Sequence, residues 1–220
     1  MKKGMFVVIE GSDGAGKSTI RDFCAKWLED HRVPTLLTRE PGGTPLAEKI
    51  RDMVKWGDPS GIIKEDFPIW AEVCLFNASR ATHLENMVIP RLEEGYVIVS
   101  DRFVDSTYAY QGGGRGIELE KLQQLHAICC RNFQADLTIV LDGDPEVFYQ
   151  RAAARSAQDR MERAGIDFQH RCRAMQQHLI SLDPDRYRVI DAEQSIECVQ
   201  AQLIPILGEI VNRMKARPTL

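Results

Sequence analysis

The chain has 220 residues, 44% of them hydrophobic, enough to fill the core of one large domain spanning residues 1–220. Its net charge of -4 argues against a dedicated nucleic-acid binder, although a local basic patch can still hold phosphates. No apolar run is long enough to span a bilayer and the opening run lacks a cleavage-site pattern, so the expectation is a cytoplasmic protein without nucleic acid or membrane among its partners.

The first predicted element is a strand over the apolar run Met5 to Ile9, which stops at Glu10. Gly11, Ser12, Asp13, Gly14, Ala15, Gly16, Lys17, Ser18 and Thr19 follow, and a helical pattern begins at once. This is the G-x-x-x-x-G-K-[ST] phosphate loop, residues 11–18, between the strand and the helix that it requires. The glycines let successive backbone N–H groups wrap phosphate oxygens. Lys17 adds a cation for the β- and γ-phosphates, Ser18 offers a hydroxyl to Mg²⁺, and the helix N-terminus contributes partial positive charge.

Ile20, Phe23, Cys24, Trp27 and Leu28 recur at helical spacing, and the helix is expected to fade between Asp30 and Val33, before Pro34. Thr35 to Thr38 reads as a second strand running into Arg39, Glu40, Pro41, Gly42 and Gly43. An Arg and a Glu thereby stand at a strand's C-terminal end, where open α/β sheets bind ligands; a charged turn is the plainer alternative. Leu46, Ile50, Met53 and Val54 mark a helix carrying Arg51, followed by a polar stretch from Gly57 to Gly61. A longer helical segment begins near Phe67 and continues past Arg80, as far as Glu94 with a break near Pro90. Phe76 and Arg80 are four apart and share a face, an arrangement that suits a nucleobase; the alternative is a core Phe beside a surface Arg.

Tyr96 to Val99 forms a third strand ending in Ser100, Asp101 and Arg102. An apolar strand ending in Asp after a phosphate loop is the Walker B arrangement, whose carboxylate can hold Mg²⁺ directly or through water. The hydroxyl- and glycine-rich run from Asp105 to Gly116 is either the wall of a small polar pocket or a flexible surface loop. Leu119, Leu122, Leu125, Ile128 and Cys129 mark another helix, Leu137 to Leu141 a fourth strand ending at Asp142, and Pro145 to Arg151 a further helix. From Arg151 to Arg173 the chain is dense in charge, with Arg151, Arg155, Arg160, Arg163, Arg171 and Arg173: a solvated face, or a lid whose arginines close on phosphates. Arg188 to Asp191 supplies a fifth strand, and a last helix from Ser195 contains Pro205, which is expected to kink or restart it. Five mainly apolar strands alternating with helices predict a parallel sheet covered on both faces. The six cysteines show no metal-site spacing and read as small hydrophobes, Cys172 in its charged segment being the one expected to react.

The motifs IEGSDGAGKST (9–19), TREPGGT (38–44), LAEKIR (46–51), LFNASR (75–80), SDRFVDSTYAYQGGGRG (100–116), ADLTIVLD (135–142), and DRME followed by DFQHR within 159–171 make the chain resemble bacterial thymidylate kinases across nearly its whole length. The resemblance implies a P-loop kinase-like α/β sandwich with a short lid at about 151–168, ATP as phosphate donor with Mg²⁺, conversion of dTMP to dTDP on the route to dTTP, and a homodimer. By the family pattern Phe76 stacks on thymine, while Arg80, Thr107 and Gln111 hydrogen-bond the base. Tyr110 packs where a ribose 2′-hydroxyl would clash. Arg39, Arg51 and Arg102 position the dTMP phosphate, and Glu40 orders that region. Asp13 and Asp101 sit near Mg²⁺ and the acceptor phosphate, and Arg155 and Arg160 of the lid join Lys17, Asp13 and Arg102 in catalysis. Two departures stand out: Ala153 where another lid cation is expected, and Tyr108 where a smaller or amide side chain is usual, either reshaping the pocket or facing solvent.

Overall fold

The computed structural model describes residues 4–56, 67–154 and 164–216. Five strands, β1 (Met5–Gly11), β2 (Thr35–Arg39), β3 (Val97–Asp101), β4 (Leu137–Asp142) and β5 (Tyr187–Asp191), form one sheet in the order β2-β3-β1-β4-β5 with every neighbouring pair parallel. The helices are α1 (Lys17–Asp30), α2 (Pro45–Trp56), α3 (Ile69–His83), α4 (Ile89–Glu93), α5 (Val104–Thr107), α6 (Leu119–Cys130), α7 (Pro145–Ala153), α8 (Ile166–Leu182) and α9 (Ile196–Lys215). This is the sandwich that the alternation of strands and helices predicts.

The central strand shows why both faces are covered. Met5, Val7 and Ile9 pack with Ile20, Cys24 and Leu28 of α1 and Leu203, Leu207 and Ile210 of α9. Phe6 and Val8 point the other way, into Val73, Leu84, Val88, Phe103 and Leu122. Each such side chain contributes about 1.5–3 kcal/mol by leaving water, so a continuous apolar run is what a strand buried on both faces requires. The register pairs Ile9 and Arg39 with Asp101, and Gly11 with Leu141. The phosphate loop, the β2 arginine and the β3 aspartate thereby share one sheet edge.

The structure bears on three local expectations. The break near Pro90 does not occur: α3 continues through a π-helical turn, Leu84–Val88, into α4. Pro90 falls in the first turn of α4, where a missing N–H is tolerated. Of the two readings of the run from Asp105 to Gly116, the pocket wall fits and the surface loop does not: Ser106, Thr107, Tyr110 and Gln111 line a cleft. The run holds α5 and a buried π-helical segment, Tyr108–Gly114, packed on α8. A Cβ at Gly113 would lie 2.6 Å from Met175 Cβ, and one at Gly114 would run into the Phe168 ring, so these glycines serve close approach of two helices. Finally, of the two alternatives at Pro205 the restart does not occur: α9 runs as one helix, with Val199, Leu203, Ile206, Leu207, Ile210 and Val211 buried on both sides of the proline.

Cys24, Cys130 and Cys172 are buried, whereas Cys74, Cys129 and Cys198 are exposed. Burial pushes the Cys172 thiol up to about 12, so the cysteine expected to react is among the inert ones. Among the described residues no helix is long and apolar enough to cross a membrane.

Candidate functional site

The loop from Gly11 to Ser18 turns on glycine geometry. Gly14 has φ +94° and its Cβ would meet the Phe148 carbonyl, so only glycine fits there. Gly16, also left-handed, hands the chain to α1, whose first-turn N–H groups have no carbonyl partner within the helix. Lys17 is buried and donates to Ser12 O at 2.9 Å and Asp13 Oδ1 at 3.4 Å. Burial, with Arg102 close by, lowers its pKa from the ordinary value, which marks a cation short of counter-charge.

The loop meets the β3 edge at Asp13. Arg102 Nη2 donates to Asp13 Oδ1 at 2.6 Å, and the Tyr110 hydroxyl lies 3.2 Å from both Asp13 Oδ2 and Arg102 Nη2. Burial pushes the Asp13 carboxyl up, but Arg102 and Lys17 outweigh it and hold the group far below the usual carboxylate range. Arg102 has φ +73°, a conformation that side chains other than glycine seldom adopt. Its backbone is held from both sides: its N–H donates to Ile9 O at 2.9 Å, and its carbonyl accepts from Ser100 Oγ at 2.8 Å. Next to it, Glu10 accepts from Phe103 N, Ser106 N and Ser106 Oγ at 2.9, 3.2 and 2.7 Å. Burial, offset in part by Arg102, raises the Glu10 carboxyl to about 7. Ser18 Oγ donates to Asp101 Oδ2 at 3.3 Å, so the two oxygens expected at a cation stand together beside Lys17.

A cleft of about 300 Å³ joins these groups to a second half. Its walls bring together Asp13, Gly14, Gly16, Lys17, Ser18 and Thr19 of the loop with Arg39, Glu40, Arg51, Phe76, Arg80, Asp101, Arg102, Thr107, Tyr110 and Gln111. Gly11 and Ala15 are buried behind the wall, and Ser12 contributes its carbonyl to Lys17. Arg155 and Arg160 lie outside the described residues, as does Arg163. Of the other arginines in that charged run, Arg151 donates to Ala192 O and Glu193 O, Arg171 to Gly114 O, and Arg173 to both Asp142 oxygens. These three brace packed structure and do not line the cleft. Tyr108 likewise neither shapes the cleft nor faces solvent: it is buried against α6, with its ring edge-on to His126.

Arg80 is no surface residue. Only 2% exposed, it gives Nε to Glu40 Oε2 at 2.8 Å and Nη2 to Thr107 Oγ1 at 2.7 Å, with Nη1 3.5 Å from Asn77 Oδ1. Glu40 also pairs with His83 Nδ1 at 3.0 Å, and His83 Nε2 reaches Thr38 Oγ1 at 2.7 Å. Gln111 donates Nε2 to Glu72 Oε1 at 2.9 Å, and Arg115 grips the same carboxylate with Nε at 3.0 Å and Nη2 at 3.2 Å. At the cleft's rim Arg39 forms a two-toothed pair with Glu48, and Arg51 Nη1 donates to Pro41 O at 2.7 Å. Sequence reasoning missed Glu10, Glu72 and His83. The available signal was a carboxylate or imidazole within an otherwise apolar stripe, which must be partnered if buried.

Chemically, one half of the cleft is a phosphate cradle, and the other offers an aromatic face, directional donors and arginines. Asp13 and Arg102 stand at the junction. Among the described residues no cluster of three His, Cys, Asp or Glu side chains encloses a metal, so a cation here would need ligands from bound phosphates.

A family model described as thymidylate kinase matches residues 9–203. A thymidylate kinase of Pseudomonas putida (strain F1) is 42% identical over 212 residues, covering 96% of this chain and 99% of its own. One from Pseudomonas syringae pv. tomato is 43% identical, covering 95% and 97%, and one from Chromobacterium violaceum 41%, covering 97% and 98%.

Proposed function

The chain belongs to the thymidylate kinase family, and from that premise we propose that it transfers the γ-phosphoryl group of ATP to dTMP, giving dTDP and ADP. The observation that carries this reading is the 2.6 Å contact between Arg102 and Asp13, which ties the phosphate loop to the arginine-lined half of the same cleft. Two phosphates bound in the two halves would meet there. Phosphoryl transfer asks mainly for in-line positioning and charge neutralisation, and an acceptor phosphate is already anionic, so no general base is required. Lys17 and the loop N–H groups hold the donor's phosphates, and Arg102, Arg39 and Arg51 the acceptor's. The last two would exchange present protein partners for phosphate oxygens. Phe76 stacks on the base, Arg80, Thr107 and Gln111 read its edge, and Tyr110 closes the sugar site to a 2′-hydroxyl. Ser18 and Asp101 would hold Mg²⁺, which neutralises charge between the β- and γ-phosphates when bound; their adjacency suits a cation that keeps most of its ligands from water and substrate. Arg155 and Arg160 complete the site in this reading. A homodimer in the cytoplasm belongs to it as well, supported by exposed apolar side chains on α2, α3 and α6: Leu46, Met53, Trp70 and Ile128.

The test is ADP release in a coupled assay with Mg²⁺ and ATP against dTMP, dUMP, ribothymidine monophosphate, dCMP, dGMP, AMP and thymidine. Turnover strongest with dTMP, weaker with dUMP and absent with thymidine is the expected result. Lys17→Ala should abolish transfer while leaving the far-ultraviolet spectrum unchanged. No turnover with any acceptor, or wild-type turnover by Lys17→Ala, would overturn the reading.

A further inference from the structure

We propose that Glu72, clamped by Arg115, fixes which end of the Gln111 amide faces the cleft, and so makes the site select pyrimidines with a protonated ring N3 over those with a 4-amino group. This deepens the reading of the cleft as a pyrimidine-monophosphate site and rests on it. A carboxylate can only accept hydrogen bonds. Gln111 is almost wholly buried, lines the cleft and lies 2.9 Å from Glu72 Oε1, so its amide must turn the NH₂ group to Glu72 and leave the carbonyl oxygen on the ligand side. Arg115 holds Glu72 with two parallel N–H donors, which fixes the plane of the carboxylate. Glu72 stands one helical turn before Phe76 and two before Arg80 on α3, so the clamp, the stacking ring and the guanidinium belong to one stripe.

The consequence follows from the edges of the bases. Thymine and uracil offer an N3–H that an amide oxygen accepts. Cytosine offers a lone pair at N3 and an amino group at C4, so its N3 would face the Gln111 oxygen lone pair to lone pair, and its amino group would face Arg80, which only donates. Arg80 has two of its five N–H groups left after Glu40, Thr107 and Asn77, enough for a 4-oxo group. Glu72 does not line the cleft, so it is a positioning residue that acts through Gln111.

Glu72→Gln keeps the shape but replaces an acceptor-only group with one that can also donate, so Gln111 can turn over. The kcat/KM ratio for dTMP over dCMP should fall at least about 10-fold, through a higher KM for dTMP and new turnover of dCMP, with the KM for ATP unchanged. Arg115→Met leaves Glu72 buried without its counter-charge, where a protonated carboxyl can also donate to Gln111, so it should lower the ratio in the same direction as Glu72→Gln. The double change Glu72→Met with Arg115→Met replaces the pair by apolar side chains of similar volume, a change that buried ion pairs commonly tolerate, and should lower the ratio as Glu72→Gln does. It decides the matter if the single variant does not fold. A ratio unchanged in Glu72→Gln or in the double variant overturns the inference. So does a wild-type enzyme equally active on dCMP and dTMP, although the kinase reading survives that result. A wild-type enzyme inactive on dTMP removes both.

Discussion

Replacing Glu40 by Gln leaves Arg80 buried without its counter-charge. The side chains of Glu40 and Arg80 are each 3% exposed, so water screens almost nothing of the 2.8 Å contact between them. Breaking one side of such a pair costs about 3–5 kcal/mol. Against a total stability of about 5–15 kcal/mol, that is a large fraction. For a chain of this length it should lower the melting temperature by roughly 6–20 °C. Urea unfolding of wild type, Glu40→Gln, Arg80→Met and the double variant closes a thermodynamic cycle. The double variant should be more stable than the sum of the single losses by about 2 kcal/mol, because removing both charges leaves neither stranded. Burial pushes the Glu40 carboxyl up, but Arg80 and His83 outweigh it and its pKa lies below the ordinary 4.5. The stability it contributes is therefore complete above that ordinary value and is lost as pH falls through the folded one, so wild type should lose more on acidification than Glu40→Gln. A loss under about 1 kcal/mol in Glu40→Gln, or additivity within about 0.5 kcal/mol, would refute the view that this pair is a buried, coupled unit.

Glu10 works in the opposite sense. Its carboxyl rises from the ordinary 4.5 to about 7 in the folded chain, so across that window the folded protein keeps a proton that the unfolded chain has released. Stability should fall by about 3 kcal/mol as pH rises through the window, and Glu10→Gln should flatten this slope in pH-dependent urea melts; an unchanged slope counts against the assignment. Thiol titration without denaturant should label Cys74, Cys129 and Cys198 quickly, while Cys24, Cys130 and Cys172, each buried and raised to about 12, should react only on unfolding. Fast labelling of Cys172 would contradict its packing against Gly114. Tyr110→Ala should open the sugar site and lower the preference for dTMP over ribothymidine monophosphate at least about 10-fold in competitive assays; an unchanged preference would place that discrimination elsewhere.

The parts of the fold written in contiguous sequence were the legible ones. An apolar run, a glycine loop and a Lys-Ser pair specify strand, cradle and helix within a few residues, and the strands buried on both faces show their unbroken apolar character directly. In the segment from Asp105 to Gly116 the pocket wall was legible in its hydroxyls and amide, but the helical course was not, since its glycines resemble a loop until α8 is seen to require them at the contact. Pro90 misled because a local break signal was absorbed by its position in the first turn of α4, and at Pro205 burial on both sides of the proline excluded a restart. Many of the cleft-lining side chains could be named from their motifs, though Lys55, Phe103 and Ser106 could not. The partners of the cleft-lining side chains could not, because Glu72, His83 and Glu10 gain meaning only from groups 39, 43 and 93 or more residues away. Sequence spacing marks the side chains that face the cleft more readily than the ones that hold them there.

The left-handed backbone at Arg102 sets a trap for protein engineering. A residue with a side chain costs about 1–3 kcal/mol in such a conformation. Glycine would release that strain but also leave Asp13 without the guanidinium that donates to it at 2.6 Å, and breaking one side of such a pair offsets the gain. A library screened only for survival at high temperature should therefore keep arginine at position 102 in spite of its backbone. Retention of this residue under heat selection says nothing by itself about turnover.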